Sequence, residues 1–316
     1  MVVQPQTEPA TVAAADPAAA YGPVGRSPWL DIDWREHQRW LTVDGQPVNT
    51  IELGAEEANS GQPIVFVHGL SGSWPNWLEQ LPVLAERHRV IALDLPGFGH
   101  SPMPAEEISI PGYARLLDRI LQQLRIDAAV VVGNSMGGFI GAELAIAFPR
   151  RVERLVLVSA AGLSTHAHPG ATRAVPSMRR LERILAPSGA WVASRSDAVA
   201  RHPRLREAAL SVVVRYPSRL PAALVAEQIR GAGKPGFIQA LQATLDYDVR
   251  ERLPEIACPT LVVWGDRDRL ITVRDADVFA QMIPDSRKVI FHDTGHMAML
   301  ERPAAFNALL EDFLGE

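Results

Sequence analysis

Cysteine is almost missing from this chain: Cys258 is the single one among 316 residues. No disulfide can form within the chain, and one thiol cannot build a thiolate metal site. Cys258 precedes Pro259 and an apolar run, and it reads as a small buried hydrophobe. A strong charge imbalance is also missing. The formal net charge is -5, and no basic block appears before residue 170, so no nucleic-acid partner is expected. No apolar run approaches the roughly 20 residues of a membrane span. Residues 1–27 are rich in Ala, Pro, Thr and Gln, without a basic start or a continuous apolar centre. They read as a flexible tail rather than a secretory leader. A soluble, cytoplasmic protein is the resulting expectation.

What is present in quantity is apolar side chain, 47% of the residues, enough for one large α/β domain carrying an inserted subdomain. Leu41-Thr42-Val43 and Val48 to Leu53 flank Asp44-Gly45-Gln46-Pro47, and Asp-Gly between such runs predicts a hairpin. Short continuous apolar runs follow at 64–67, 90–93, 130–132 and 155–158, as expected of strands covered on both faces. Residues 109–124 place Tyr113, Leu116, Leu117, Ile120, Leu121 and Leu124 on one helical face. Strands alternating with helices predict a parallel sheet. The rhythm stops over 164–245, which reads as short helices broken at Pro176, Pro187, Pro203, Pro217 and Pro221. It resumes with strands at 260–264 and 288–291 and a helix at 303–314. The expected organisation is a tail over 1–27, an α/β core over 28–163 and 246–316, and a helical cap over 164–245. A cap inserted there lies over the strands' carboxyl ends, where open α/β sheets bind ligands.

One pentapeptide stands at such an end. Gly133-Asn134-Ser135-Met136-Gly137 follows an apolar run and opens a helix. A serine at that sharp turn takes a strained backbone position, with glycine on either side because a Cβ does not fit. The helix aims its free N–H groups at any oxyanion formed beside the hydroxyl. Taken alone the match is weak, since such pentapeptides arise by chance in glycine- and serine-rich loops.

A serine nucleophile needs a base, and the base needs an orienting acid. Gly265-Asp266-Arg267-Asp268 follows the strand ending at Trp264, and Asp293-Thr294-Gly295-His296 follows the strand ending at Phe291. Separately, His296 reads as an ordinary hydrogen-bonded histidine, and Asp268 as a turn or ion-pair aspartate. Together with Ser135, at strand ends and in the order Ser, Asp, His, they form a candidate triad. Asp268 is preferred over Asp266 because it lies further into the loop. The oxyanion donors are expected from the backbone N–H groups of Met136 and Leu70, the latter in His68-Gly69-Leu70-Ser71-Gly72. His68 is read as structural. Candidate pocket residues are Phe139, Leu163, Met178, Trp191, Val213 and Met297. Cap arginines such as Arg173, Arg179, Arg180 and Arg183 read as a solvated face, or else as a clamp for a substrate carboxylate. No cofactor or metal is expected.

The segments Val67-His68-Gly69-Leu70, Asp94 to Ser101, Gly133 to Gly138, Gly265 to Asp268 and Gly295-His296 together resemble the α/β-hydrolase superfamily over about residues 35–315. The resemblance implies a mostly parallel eight-stranded sheet with helices on both faces and a helical cap. It also implies an acid at the last position of the Gly-Xaa-Xaa-Asp turn, which is Asp268, and a structural role for the Asp94 segment. Serine at 135 argues against the haloalkane dehalogenases and most epoxide hydrolases, which carry aspartate there. Gly-Asn-Ser-Met-Gly-Gly is similar to the elbow of carbon–carbon hydrolases of ring-fission products. Those enzymes usually carry Gly-Pro-Gly after the His-Gly and a tryptophan after the histidine, where this chain has Leu70-Ser71-Gly72-Ser73 and Met297. The resemblance therefore implies a carboxylesterase or lipase acting on small to medium acyl esters and water. Carbon–carbon hydrolases, cofactor-free haloperoxidases or perhydrolases, and non-enzymatic ligand receptors of this fold are the alternatives.

Overall fold

The computed structural model describes residues 11–15, 20–54, 61–164 and 193–315. Its centre is a sheet of strands β1 (Thr11–Ala15), β2 (Gln38–Val43), β3 (Gln46–Leu53), β4 (Ile64–Val67), β5 (Val90–Leu93), β6 (Ala129–Asn134), β7 (Val152–Val158), β8 (Thr260–Gly265) and β9 (Ser286–Phe291). The spatial order is β1-β9-β8-β7-β6-β4-β5-β3-β2. The β2–β3 hairpin turns at Asp44-Gly45, both at positive φ, as an Asp-Gly turn requires. β3 pairs antiparallel with β2 and β5, and the other neighbours run parallel.

The continuous apolar runs have a simple cause. Side chains alternate across a strand, and both faces of this sheet are covered. Val65, Val67, Val131, Leu155 and Leu157 enter one core, and Ile64, Phe66, Val130, Val132, Val156 and Val158 enter the other. Each fully buried side chain of this kind contributes roughly 1.5–3 kcal/mol. Helix α1 (Ile110–Gln123) starts where the Ser109 hydroxyl accepts the Gly112 N–H at 3.1 Å. It buries Ile110, Tyr113, Ala114, Leu117, Ile120 and Leu121 against the first core. Helix α2 (Met136–Ala147) runs through the middle and is buried on nearly every side. Its composition, with Gly137, Gly138, Gly141, Ala142 and Ala145, follows from that close packing.

The eight-stranded sheet expected from the motifs is present, and the N-terminal region adds a ninth strand. Where a flexible tail was expected over 1–27, Thr11–Ala15 pairs with β9, supplying partners to what would otherwise be an open edge. Tyr21 and Ser27 of the same region are hydrogen-bonded to Glu301 and Glu79. The described part of the insertion forms α3 (Ser196–Arg201), α4 (Pro203–Leu210), α5 (Ala222–Arg230) and α6 (Phe237–Asp246). It packs on loops at the strands' carboxyl ends: Asn76 Nδ2 donates to Gln228 Oε1 at 2.6 Å, and the Gly236 N–H donates to the Gly97 carbonyl at 3.0 Å. After the insertion come α7 (Arg274–Met282) and α8 (Pro303–Leu314). Among the described residues, no helix is long and apolar enough to cross a membrane.

Candidate active site

Register fixes where the site lies. Val67 of β4 pairs with Gly133 of β6, Asn134 of β6 with Val158 of β7, and Gly265 of β8 with Phe291 of β9. The chain therefore leaves β4, β6, β8 and β9 along one edge of the sheet. The segments carrying Leu70, Ser135, Asp268 and His296 all begin there.

Ser135 sits between β6 and α2 with φ 56° and ψ -119°. For a residue other than glycine this is strained backbone, costing on the order of 1–3 kcal/mol. The surroundings hold it in place: its N–H donates to the Val158 carbonyl at 2.9 Å, and its carbonyl accepts from Phe139 and Ala161. The flanking glycines have no room for a side chain. A Cβ on Gly133 would lie 2.3 Å from the Gly137 carbonyl oxygen, and one on Gly137 would lie 2.2 Å from the Val67 carbonyl oxygen.

His296 and Asp268 meet. His296 Nδ1 is 2.7 Å from Asp268 Oδ2, with side-chain exposures of 3% and 0%. A carboxylate oxygen only accepts, so Nδ1 is the donor of this contact, and in the neutral ring Nε2 carries the lone pair. The other oxygen, Oδ1, accepts the N–H groups of Leu270 and Ile271 at 2.8 and 3.0 Å, which fixes the carboxylate's plane. Asp266 has a different job. It faces His292 Nδ1 at 2.9 Å and Arg267 Nε at 3.7 Å, and it accepts from the Thr294 N–H. Asp266 thus ties the Asp268 turn to the loop that carries His296.

The His68 imidazole is fully occupied. Nδ1 donates to the Gly69 carbonyl at 2.8 Å, and Nε2 accepts the Leu95 N–H at 3.0 Å. Burial pushes its pKa below the ordinary value, against the pull of nearby Asp94. A buried neutral ring with both nitrogens engaged is a loop brace. Asp94 is pushed up by burial but ends below its ordinary range, because His100 and the N–H groups of His100 and Trp74 hold the charged form. The loop after β4 is pressed against the serine: a Cβ on Gly69 would lie 2.9 Å from Ser135 Cβ. Met136 is the first residue of α2, where a backbone N–H has no intrahelical acceptor.

The candidate pocket residues divide. Phe139 is fully buried, with its ring 5.6 Å from that of Tyr247, and Leu163 lies in the same core. Val213 and Met297 stay beside the base: the Val213 carbonyl accepts the His296 N–H at 3.0 Å, and Met297 is the next residue in the chain. Met178 and Trp191 lie outside the described residues, as do Arg173, Arg179, Arg180 and Arg183.

Two residues have roles that the motifs do not assign. Asn134 Nδ2 donates to the carbonyls of Val158 and His296 at 3.1 and 3.3 Å, so the residue before the serine also holds the base's backbone. Glu301 is 0% exposed and accepts from Tyr21, Arg215, Gly295 and Met297. Burial pushes its pKa up, and the Gly295 and Arg215 N–H groups pull it back. The one available signal was an acidic residue five positions beyond the histidine in an otherwise apolar stretch.

A family model described as alpha/beta hydrolase fold matches residues 62–303. The chain belongs to the α/β-hydrolase family. Among the similar α/β hydrolases is 2-hydroxy-6-oxo-2,4-heptadienoate hydrolase of Pseudomonas putida, 31% identical, with the match covering 84% of this chain and 93% of that one. The dihydrolipoyllysine-residue acetyltransferase component of the acetoin cleaving system of Cupriavidus necator is 32% identical over 83% of this chain. The chain spans 66% of that relative's length, just under two thirds. Among solved structures, the enol-lactonase from Burkholderia xenovorans LB400 superposes with a TM-score of 0.68 at 25% identity, covering 88% of this chain and 100% of that one.

Proposed function

We propose that this α/β hydrolase cleaves carboxylic esters of small to medium acyl chains through an acyl-enzyme on Ser135. The observation that carries the reading is the closed Asp268–His296 contact of 2.7 Å, formed at the sheet edge where Ser135 is held in a strained elbow. His296 Nε2 takes the Ser135 proton as the oxygen attacks the ester carbonyl. The N–H groups of Met136 and Leu70 hold the oxyanion, each such donor lowering the barrier by about 3–4 kcal/mol. The imidazolium returns its proton to the leaving alcohol. The same base then activates water against the acyl-enzyme, and Asp268 keeps the ring oriented and stabilises its cationic form.

Ester cleavage is favoured over carbon–carbon cleavage by Leu70-Ser71-Gly72-Ser73 and by Met297, which replace the elements usual in the ring-fission hydrolases. The solved enol-lactonase is named for cleaving a cyclic ester. The Pseudomonas relative, named as a heptadienoate hydrolase, keeps carbon–carbon hydrolysis as the second reading.

The test is hydrolysis of p-nitrophenyl acetate, butyrate and longer esters beside a vinylogous diketone, each against Ser135→Ala. Ser135-dependent turnover of the short esters supports the proposal. Turnover confined to the diketone selects the second reading. Tight binding of a small apolar ligand without turnover of either substrate overturns the enzymatic reading.

A further inference from the structure

A segment well ahead of the family-matched region, residues 21–29, reaches the loop of the base. Glu301 Oε2 accepts the Tyr21 hydroxyl at 2.8 Å and the N–H groups of Arg215 and Gly295 at 2.9 Å each, while Oε1 accepts the Met297 N–H at 3.3 Å. Gly295 and Met297 are the two neighbours of His296, so one buried carboxylate grips the base's backbone from both sides. The Tyr21 hydroxyl is itself an acceptor for the Tyr216 N–H at 2.8 Å, and the Gly22 N–H donates to the Glu301 carbonyl at 2.7 Å. The Tyr21 ring lies edge-on to Tyr216, with Arg219 4.9 Å and Arg302 5.1 Å from its centroid. A second anchor lies a few residues on. Buried Glu79 accepts from Ser27 Oγ at 2.8 Å and Trp29 Nε1 at 2.7 Å. Residues 21–29 are therefore fastened both to the loop after β9 and to the segment after β4.

We infer that Tyr21 is a positioning residue for His296, acting through Glu301. This rests on His296 being the base of the proposed reaction. A buried carboxylate keeps its place only while donors replace lost water. Removing the Tyr21 hydroxyl takes one of three donors from Oε2 and strands the Tyr216 N–H. Glu301 then re-aims, and the backbone at 295–297 moves with it. Proton transfer demands hydrogen-bond distance, so a displacement well under 1 Å at the base is felt in turnover.

The experiment compares the full chain with Tyr21→Phe, which keeps the ring and its packing. The expected result is a fall in kcat on p-nitrophenyl butyrate of about tenfold, with KM unchanged within about twofold. The downfield Nδ1 proton resonance of His296 shifts or broadens in the same variant. Arg26→Ala, an exposed pair with Asp31 in the same segment, leaves kcat and the resonance unchanged. If Tyr21→Phe does not fold, Glu301→Gln serves as the second variant, with the same expected loss of kcat at constant KM. A Tyr21→Phe enzyme with lowered Tm, native kcat and a native His296 resonance overturns the inference. If the wild type shows no Ser135-dependent turnover, the ester reading fails separately. The resonance then still decides, and an identical signal in both proteins overturns the positioning role.

Discussion

Asp268 and His296 are joined by a 2.7 Å contact between Oδ2 and Nδ1, closed from solvent on both sides. Asp266, two residues earlier, faces His292 instead. The two aspartates of one turn therefore have separable roles.

Asp268→Asn is expected to lower kcat by about 10⁴, because an amide at that position no longer holds the Nδ1–H tautomer. Asp266→Asn loosens the link between the two loops, so a lower Tm with kcat nearly retained is expected. Steady-state kinetics and thermal melts of the two variants check this. A dead Asp266→Asn beside an active Asp268→Asn reverses the assignment.

Gly69→Ala tests the close approach of the loop after β4 to the serine. The new methyl would stand 2.9 Å from Ser135 Cβ, and the elbow has no freedom to withdraw. The loop must shift and take the Leu70 N–H with it. A fall in kcat of about 10²–10³ is expected, the size of one lost oxyanion donor. Labelling of Ser135 by a fluorophosphonate should slow in parallel. Unchanged rates would remove Leu70 from the proposed oxyanion site.

The Asp94 network predicts acid sensitivity. Its folded pKa is held below the unfolded value, chiefly by hydrogen bonds that outweigh burial. The stability this adds is present above the unfolded carboxylate value near pH 4 and is lost as pH falls through the lower folded value. His100 works on the other side. Asp94 raises its pKa, so its contribution is full below the unfolded histidine value near 6.5 and fades as pH rises through the raised one. The exposed His100 ring keeps that second contribution small. Melts across the acid range should show Asp94→Asn with a lower Tm near neutrality and a flatter fall in acid. An acid slope as steep as the wild type's would assign the effect to other carboxylates.

The strands and the triad candidates were legible because they obey local rules. Continuous apolar runs mark strands buried on both faces, and Gly133 and Gly137 mark a turn without room for Cβ. Asp268 and His296 each follow a strand directly, so topology alone brings them to the edge with Ser135. Phe139 and Leu163 lie within the core, and an apolar side chain near a nucleophile looks the same in sequence whether it faces a pocket or the core. Tyr21 was not legible, and Glu301 showed only as an acidic residue in an apolar stretch after the histidine. They lie 280 residues apart in the chain, and neither sits in a motif. The docked N-terminal segment was hidden by its composition: Ala and Pro suggest a free tail, while its attachment depends on Tyr21, Ser27 and Trp29 meeting buried carboxylates.

The most direct test of the central claim is p-nitrophenyl butyrate turnover, measured with intact-mass detection of the acyl-enzyme, for wild type and Ser135→Ala. The account predicts a mass increase of one acyl group on Ser135 in the wild type. It also predicts a loss of kcat in Ser135→Ala of about 10⁶, as when a triad serine is removed. Turnover by Ser135→Ala at the wild-type rate, with no acyl adduct on either protein, would contradict it.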